Sequence, residues 1–294
     1  MKKVSALFFA LLMGLASCGG GSSKGIEIKG SDTLLELVQA FGEAYIKKTN
    51  VSINVSGGGS GVGIAGIING NTDIGDASRP MKDKEIAQAK EKGVDPLEVK
   101  VGIDAIAVIV NPSNTVKELT TAQLAGIYKG EIKNWKEVGG EDMAISLYGR
   151  QENSGTYVFF QEHILKADYA ASMKRMSGNA QMFEGVKADK AGIGYEGLGY
   201  VMNEDGSFKD GVKVVPVVSK KGVALLPSNQ EAVLSGEYPI ARFLFQYVNK
   251  KTWEGPVKDF IKFELSDEGQ AIVKKNGFYS LGDKAKELNP AVFE

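Results

Sequence analysis

The sequence predicts an α/β fold with mainly parallel sheets. Short apolar strand patterns alternate with helical patterns along almost the whole chain after residue 25, an order typical of parallel sheets covered by helices. The chain has 294 residues, which is too many for one small core and enough for two domains of ordinary size. Three of the strand-to-helix turns are short and carry hydroxyl side chains, which makes them candidate binding loops.

Composition and charge set limits on the function. Apolar residues make up 43% and charged residues 24% of the chain, as in a soluble globular protein. With 35 basic and 36 acidic residues, the formal net charge is −1. A nucleic-acid partner bound through bulk electrostatics would require a basic excess, so none is expected. An anionic ligand would have to be held by local dipoles and a few selected side chains.

The N-terminus predicts export. Lys2 and Lys3 precede the apolar run VSALFFALLMGLA, which is too short for a transmembrane span and is typical of a secretory signal over residues 1–17. The following Leu-Ala-Ser-Cys resembles the lipobox of bacterial lipoproteins, which implies lipidation at Cys18 and a tether over residues 18–25. The alternative is an ordinary export signal with a chance cysteine. Cys18 is the only cysteine, so no intrachain disulfide is possible.

The first elements are predicted as follows. Residues 26–30 form a strand, and residues 34–48 form a helix whose Leu34, Leu37, Val38, Phe41 and Tyr45 recur at helical spacing. Thr33 and Glu36 fit a capping box at its start. A strand at 51–55 leads into a short helix at 61–69 that Gly70 ends. A strand beginning near residue 72 runs into a loop ending at residue 80, a surface helix covers 82–93, and an apolar strand covers 104–112.

The later elements continue the alternation. A helix with a capped start and a terminal glycine is predicted within 119–130, a strand at 144–150 and a helix at 156–165. Strands with tight turns follow at 190–201 and 211–218, and an amphipathic helix at 257–265. The run GQAIVKKNG comes after it near the C-terminus.

Most catalytic and metal chemistry can be excluded. His163 is the only histidine, and no spacing of His, Cys or carboxylates resembles a zinc site. The segment GGSGV is not the GxSxG of a serine hydrolase, because Val62 occupies the place of the second glycine. Residues 61–66 match GxGxxG, but the following helix is too short for a dinucleotide-binding unit. We therefore expect no catalytic residue, no metal and no cofactor.

The three turns suit a small anion. GSDT (30–33), GSG (59–61) and NSGT (153–156) each follow a strand and open a helix, so their N–H groups and the positive helix end can face negative charge. Any one of them could simply cap its helix. Together with Arg79 and Arg150, whose planar guanidinium groups suit oxyanions, they could enclose an anion with several oxygens.

These motifs, with DIGDASRP, RQENSGTY, IGYEGLGY and FLFQYVNKK, make the chain resemble the phosphate-binding proteins of bacterial phosphate ABC importers. The resemblance covers nearly the whole mature chain. It implies a periplasmic-binding-protein-like fold: two α/β lobes joined by two crossover strands, with the ligand cleft between them. By analogy, residues 26–104 and 219–294 form lobe 1, and residues 105–218 form lobe 2.

The resemblance also implies which residues bind phosphate: Ser31, Asp32, Thr33, Ser60, Gly61 through its amide, Ser78, Arg79, Arg150, Ser154, Gly155 and Thr156. Some members of the family carry an aspartate where this chain has Ser78, and that carboxylate accepts the proton of hydrogen phosphate. Here Asp32 stands where those members have a hydroxyl residue. We therefore expect Asp32 to be the acceptor, with Asp76 as the rival candidate. Arg79 could contact the ligand or simply balance Asp32 or Asp76.

The function expected from this resemblance is a non-catalytic, lipid-anchored receptor outside the cytoplasm. It would capture inorganic phosphate and deliver it to the permease subunits of an ABC importer, as a monomer by family expectation. Three alternatives stay open: the same fold binding sulfate, molybdate or tungstate; a phosphate-sensing lipoprotein; and an enzyme acting on phosphoesters, which the lack of a nucleophile–base pair disfavours.

Overall fold

The computed structural model describes residues 25–294. The predicted signal, Cys18 and all but the last residue of the predicted tether lie outside this range. Within it, none of the helices combines the length and apolar character that a membrane crossing requires.

The described chain contains strands and helices in alternation. The strands are β1 Ile26–Gly30, β2 Ile53–Ser56, β3 Ile74–Ala77, β4 Pro96–Val110, β5 Leu119–Thr120, β6 Ser146–Arg150, β7 Lys174–Met176, β8 Gly192–Gly197, β9 Lys213–Val215, β10 Val217–Val218, β11 Ala224–Leu225 and β12 Ala241–Asn249. The helices are α1 Leu35–Thr49, α2 Ser60–Asn69, α3 Asp83–Glu91, α4 Thr121–Lys129, α5 Gly155–Phe160, α6 Asn179–Ala188, α7 Gln230–Leu234, α8 Gly255–Glu264, α9 Asp267–Lys275, α10 Lys284–Leu288 and α11 Pro290–Phe293. A π-helical turn, Gln161–Leu165, continues α5.

The main sheet is mixed, and the prediction of mainly parallel sheets was therefore only partly right. Its strand order is β2-β1-β3-β12-β4-β8-β6-β7, with β9 also paired to β4. Pairing is parallel toward both edges, among β1, β2 and β3 and among β6, β7 and β8. In the middle, β12 and β4 run antiparallel to each other and to their neighbours. These two strands are antiparallel because the chain runs through the middle of the sheet in one direction along β4 and in the opposite direction along β12.

Two separate regions of apolar packing lie on either side of these two strands. Ile28, Phe41 and Phe260 belong to one region, and Tyr128 and Tyr195 belong to the other. A smaller cluster around Ile64 and Ile67 includes Ala77 of β3 and Phe245 and Tyr247 of β12. Two regions of this kind are what a two-lobed molecule requires, because each lobe must bury its own core. We call them the first lobe and the second lobe.

The crossings between lobes occur within β4 and near the start of β12. Val101 packs in the first lobe and Ala105 in the second, so β4 passes between the lobes over this stretch. Residues 224–240 include Leu225, Val233 and Ile240, which all pack in the second lobe. This packing favours a return near residue 240 over the predicted boundary at 218–219, and we propose the later boundary.

The local predictions near the cleft had different outcomes. The strand at 26–30 and the end of α2 at Gly70, which adopts the left-handed conformation, are confirmed. The capping box of Thr33 and Glu36 is wrong, since Leu34 precedes α1 and no side chain caps it. The Thr33 hydroxyl instead faces the second lobe, 3.1 Å from the Thr156 hydroxyl. A residue that would cap an isolated helix is thus used between lobes.

Candidate functional site

The candidate site lies where parallel strands end. β1, β2 and β3 are parallel, with β1 in the centre, so their carboxyl ends meet at one edge of the sheet. Ser31, Ser60 and Ser78 follow these three strands. In α/β sheets this edge is the usual place for a ligand site. The second lobe contributes Thr156, from the first turn of α5, the helix that follows β6.

We define the hydroxyl cluster as Ser31, Thr33, Ser60, Ser78 and Thr156. All five side chains are almost fully buried. Within the first lobe, the Ser31 hydroxyl donates to Ser78 Oγ at 2.9 Å, and Ser60 Oγ lies 3.3 Å from Ser78 Oγ. The hydroxyls of Thr33 and Thr156 form a second contact group at 3.1 Å. Five buried hydroxyls concentrated in this way are unusual for a protein interior, where polar groups carry a desolvation cost. The cluster is therefore a candidate for binding rather than packing.

Neighbouring N–H groups fix the orientation of several of these hydroxyls. Ser31 Oγ accepts the Thr33 N–H at 3.2 Å, and Ser60 Oγ accepts the Ser78 N–H at 2.9 Å. Thr156 Oγ1 accepts from the Arg242 guanidinium at 2.8 Å. A hydroxyl has one proton to donate. An oxygen that already accepts from an N–H group directs that proton elsewhere. In this structure the Ser31 proton goes to Ser78 Oγ, and an anion that entered the cluster could accept such protons instead.

The two lobes meet directly at the cluster. A Cβ atom added to Gly155 would lie 2.2 Å from Ser60 Oγ and 2.6 Å from Ser78 Oγ. Ser154, just before it, is the N-cap of α5, and its Oγ accepts the Tyr157 N–H at 3.4 Å. The backbone of the second lobe therefore reaches the first-lobe serines only because residue 155 has no side chain.

The glycine-rich stretch 57–61 makes specific hydrogen bonds to the second lobe. Gly58 and Gly59 have φ angles of 118° and 94°, which other residues rarely adopt. The Asn153 side chain donates to the Gly58 carbonyl at 2.7 Å. The predicted ligand amide, Gly61 N–H, donates instead to the Asn153 carbonyl at 3.0 Å. This geometry does not support the predicted contact of the Gly61 amide with a ligand, because the amide joins the two lobes.

Arg150 and Asp32 form an ion pair across the cleft. Arg150 donates through Nη2 to Asp32 Oδ2 and through Nη1 to Asn179 Oδ1. The Arg150 side chain is 2% exposed and that of Asp32 is 16% exposed. The other Asp32 oxygen accepts the Gly58 N–H at 2.7 Å. Both oxygens of Asp32 are thus engaged by the protein, which argues against the predicted role of proton acceptor and favours a role in holding Arg150.

The side chains of Asp76 and Arg79, the two other residues proposed from the sequence, are bonded to partners outside the hydroxyl cluster. Asp76 is buried beside Gln246, whose Nε2 donates to it at 3.0 Å. Burial raises the pKa of Asp76 to about 8. Arg79 forms a two-point ion pair with Glu85, both contacts being 2.8 Å. The geometry does not support the predicted contact of Arg79 with a ligand, because its two terminal nitrogens are directed to Glu85.

Two charged residues beside the cluster were missed by the sequence reasoning. Arg242 lies on β12 and Asp104 on β4, both are buried, and they form an ion pair with a contact of 2.8 Å. No glycine-rich turn or motif marks either one. The only signal in the sequence is that a charge interrupts each of two apolar strand patterns.

A further buried acid, Glu196, lies on β8 in the second lobe. Neither of its carboxyl oxygens has a hydrogen-bond partner, and the Nε of Arg150 has none either. Burial raises the pKa of Glu196 to about 8, against the opposing charges of Arg150 and Lys209. A carboxyl with this pKa is largely protonated at neutral pH, so it adds little negative charge near the site.

Metal and histidine chemistry receive no support from the described residues. Across residues 25–294, no group of three or more His, Cys, Asp or Glu side chains is placed to hold a metal ion. His163 stacks on the Phe159 ring at a centroid distance of 4.1 Å, and its Nδ1 lies 3.0 Å from the Phe159 carbonyl. The site can therefore offer hydrogen-bond donors and guanidinium charge, which suit binding of an oxyanion.

Comparison with known proteins places the chain in a family. Residues 17–268 match the PBP superfamily domain. The chain is 34% identical over 285 residues to the phosphate-binding protein PstS of Pseudomonas aeruginosa, covering 91% of this chain and 86% of that protein. It is also 34% identical over 275 residues to PstS of Staphylococcus haemolyticus, covering 87% and 85% of the two chains.

A solved structure agrees with these relatives. A candidate phosphate ABC transporter substrate-binding protein of Clostridium perfringens, solved with bound phosphate, is 34% identical and has a TM-score of 0.77. The similarity covers 87% of this chain and 99% of that one. The predicted periplasmic-binding-protein-like α/β fold is thereby confirmed. The chain belongs to the PBP superfamily and, within it, to the family of bacterial phosphate-binding proteins that includes PstS.

Proposed function

We propose that the protein is a receptor outside the cytoplasm that binds inorganic phosphate between its two lobes and delivers it to an ABC importer. One observation carries the proposal: a buried cluster of hydroxyls comes from both lobes, and the Arg150 guanidinium pairs with Asp32, which lies between Ser31 and Thr33 of that cluster. The relatives described above are named for phosphate binding. The receptor function needs no catalytic residue.

The chemistry of the cluster suits a tetrahedral dianion. Hydroxyls and backbone N–H groups donate to oxygens without adding net charge, so they can surround an anion from several sides. Arg150 supplies charge, and its partner Asp32 offsets that charge. Neutral donors in a buried site gain strength from the low local dielectric. We infer that Ser31, Thr33, Ser60, Ser78, Arg150, Ser154, Gly155 and Thr156 form the site.

The cellular setting is also part of the proposal. The secretory signal over residues 1–17 and the lipobox at Cys18 support export and attachment to the cell envelope by an N-terminal lipid. A tether rich in glycine and serine would let the folded lobes stand away from the membrane. The partners would then be the permease subunits of a phosphate importer, with the receptor acting as a monomer.

A second candidate is binding of a fully ionised oxyanion such as sulfate. One observation favours testing it: within residues 25–294, no carboxylate accepts a hydrogen bond from the hydroxyl cluster. Hydrogen phosphate carries a proton that needs an acceptor, whereas sulfate does not. A site that lacks a carboxylate acceptor rejects sulfate less strongly than a site that has one.

The test is calorimetric titration of the purified protein, freed of carried-over ligand, with phosphate, sulfate, molybdate and arsenate. We expect phosphate to bind at least about tenfold more tightly than sulfate, a difference of about 1.4 kcal/mol. An absence of heat with phosphate would refute the proposal, and tighter sulfate binding would favour the second candidate. Release of product from a chromogenic phosphoester would instead indicate an enzyme.

A further inference from the structure

Arg242 contacts parts of the site that come from both lobes. Its Nη1 donates to the Ser78 carbonyl at 2.9 Å, in the first lobe. Its Nη2 donates to Thr156 Oγ1 at 2.8 Å, in the second lobe, and lies 3.5 Å from Thr33 Oγ1. The guanidinium carbon lies 5.4 Å from the centre of the Phe159 ring. Arg242 thus connects the hydroxyl cluster to the crossing strand β12.

Asp104 fixes the guanidinium of Arg242 in this position. Asp104 Oδ2 accepts from Arg242 Nε at 3.1 Å and from Nη2 at 2.8 Å. Its other oxygen accepts the Leu198 N–H at 3.1 Å. The two residues lie on adjacent strands, with Arg242 directly opposite Asp104 in the register of β12 and β4. A pair held at two points on paired strands leaves little freedom for the guanidinium.

The donor count of Arg242 indicates how it acts. A guanidinium has five N–H donors, and the contacts above direct Nε, both protons of Nη2 and one proton of Nη1 to protein oxygens. Little donor capacity is left for a ligand. Thr156 Oγ1, in contrast, accepts from Arg242, which leaves its own proton to be donated either to Thr33 Oγ1, 3.1 Å away, or to an anion. The effect of Arg242 on an anion would therefore pass through Thr156.

We propose that Arg242, held by Asp104, is a positioning residue of the anion site. It orients the Thr156 hydroxyl toward the cleft and links that hydroxyl to the Ser78 loop when the lobes are closed. This inference rests on the proposed phosphate-binding function. It assigns a role in ligand affinity to two residues that no sequence motif marks.

The first test is the double variant Asp104→Asn with Arg242→Met. Replacing both partners avoids an unpaired buried charge, and such replacements are often tolerated. Loss of a hydrogen bond from a charged group costs about 1.5–3 kcal/mol, so we expect phosphate affinity to fall by about 10- to 150-fold. Arg242→Lys keeps the charge beside Asp104 but cannot reach both Asp104 and Thr156, and should also weaken binding. The exposed Arg175→Met is the matched control and should bind as the natural chain does.

The second test is a double-mutant cycle with Thr156→Val. If Arg242 acts through Thr156, this substitution should cost less affinity in the Asp104→Asn/Arg242→Met background than in the natural chain. Equal costs in both backgrounds would overturn the inference. So would natural affinity in the folded double variant or in Arg242→Lys, since Arg242 would then only neutralise Asp104. A natural chain that binds no phosphate would overturn the proposed function itself, which separates the two failures.

Discussion

Ser60 shows how a single side chain distinguishes a contact between two loops from a helix cap. Its hydroxyl does not cap α2, which begins at this residue, but accepts the Ser78 N–H from the neighbouring loop. Sequence reasoning identified Ser60 because glycine and serine at a strand-to-helix turn indicate either a cap or an anion site. It could not identify Asp104 and Arg242, because these residues are 138 positions apart in sequence and meet only when β4 pairs with β12.

Gly155 gives a direct test of how closely the lobes must approach. In Gly155→Ala, the new methyl group would meet Ser60 Oγ and Ser78 Oγ at 2.2 and 2.6 Å. Overpacking of this kind costs about 1–3 kcal/mol, so we expect phosphate affinity to fall by about 5- to 150-fold. The measurement is calorimetric titration of the variant beside the natural chain.

The matched control for this prediction is Gly178→Ala, also in the second lobe. A methyl group at residue 178 would meet no atom within 4 Å, and its φ of −146° suits any residue. Natural affinity in Gly178→Ala together with weak binding in Gly155→Ala is the expected pattern. Equal affinity in both variants would mean that closure does not bring residue 155 against the serines.

Asp32 separates two explanations of anion discrimination. Because its oxygens are engaged by Arg150 and the Gly58 N–H, Asp32→Asn should change the affinities for phosphate and sulfate in parallel. We expect their ratio to stay within about threefold, a difference under about 0.7 kcal/mol. Competition titrations of both anions measure the ratio, with the exposed Asp210→Asn as control. A collapse of the ratio in Asp32→Asn alone would restore the predicted role of proton acceptor.

Among the secondary-structure elements, the ones predicted best are those with a strong local pattern. Helix α4 has a Thr120 cap and a terminal Gly130, and both are confirmed. Strand β4 begins at Pro96, well before the predicted residue 104. Its first half carries charged residues such as Glu98 and Lys100, which obscure the apolar pattern. The antiparallel pairing of β4 with β12 was not predicted, because strand direction depends on how the whole chain crosses between lobes.

The stability of the folded protein should depend on pH through a buried contact between β3, β12 and α8. Gln246 Nε2 donates to Asp76 Oδ1 at 3.0 Å and to Glu264 Oε1 at 3.2 Å, and both acids are buried. Burial raises the pKa of Asp76 to about 8 and that of Glu264 well above its ordinary value. The folded state therefore keeps protons that the unfolded state loses above pH 4, so stability should fall as pH rises from about 4 to 8.

Asp76→Asn should remove the Asp76 part of this dependence. One such group changes the free energy of unfolding by up to about 1.4 kcal/mol per pH unit, so the variant should show a shallower decline over that range. Denaturant unfolding at a series of pH values measures the slope, with Asp210→Asn as the exposed control. Parallel profiles for the natural chain and Asp76→Asn would contradict the raised pKa.

For the whole molecule, ion pairs and hydrogen bonds between the two lobes hold the cleft closed. Asp32 pairs with Arg150, Asn153 bonds to the 58–61 loop, and at the rim Lys82 pairs with Glu162 at 2.7 Å. Ligand contacts from both lobes would add to these and stabilise the closed state over an open one. The two-lobed plan was predicted from family resemblance, whereas the return crossing that we propose near residue 240 rests on the packing of residues 224–240.

The most direct test of the central claim is a crystal structure of the protein grown with phosphate. We expect one tetrahedral anion between the lobes, contacted by the hydroxyls of Ser31, Ser60 and Thr156 and by Arg150, with Asp104 and Arg242 paired behind it. Phosphate bound elsewhere, with the hydroxyl cluster still closed on itself, would contradict the account.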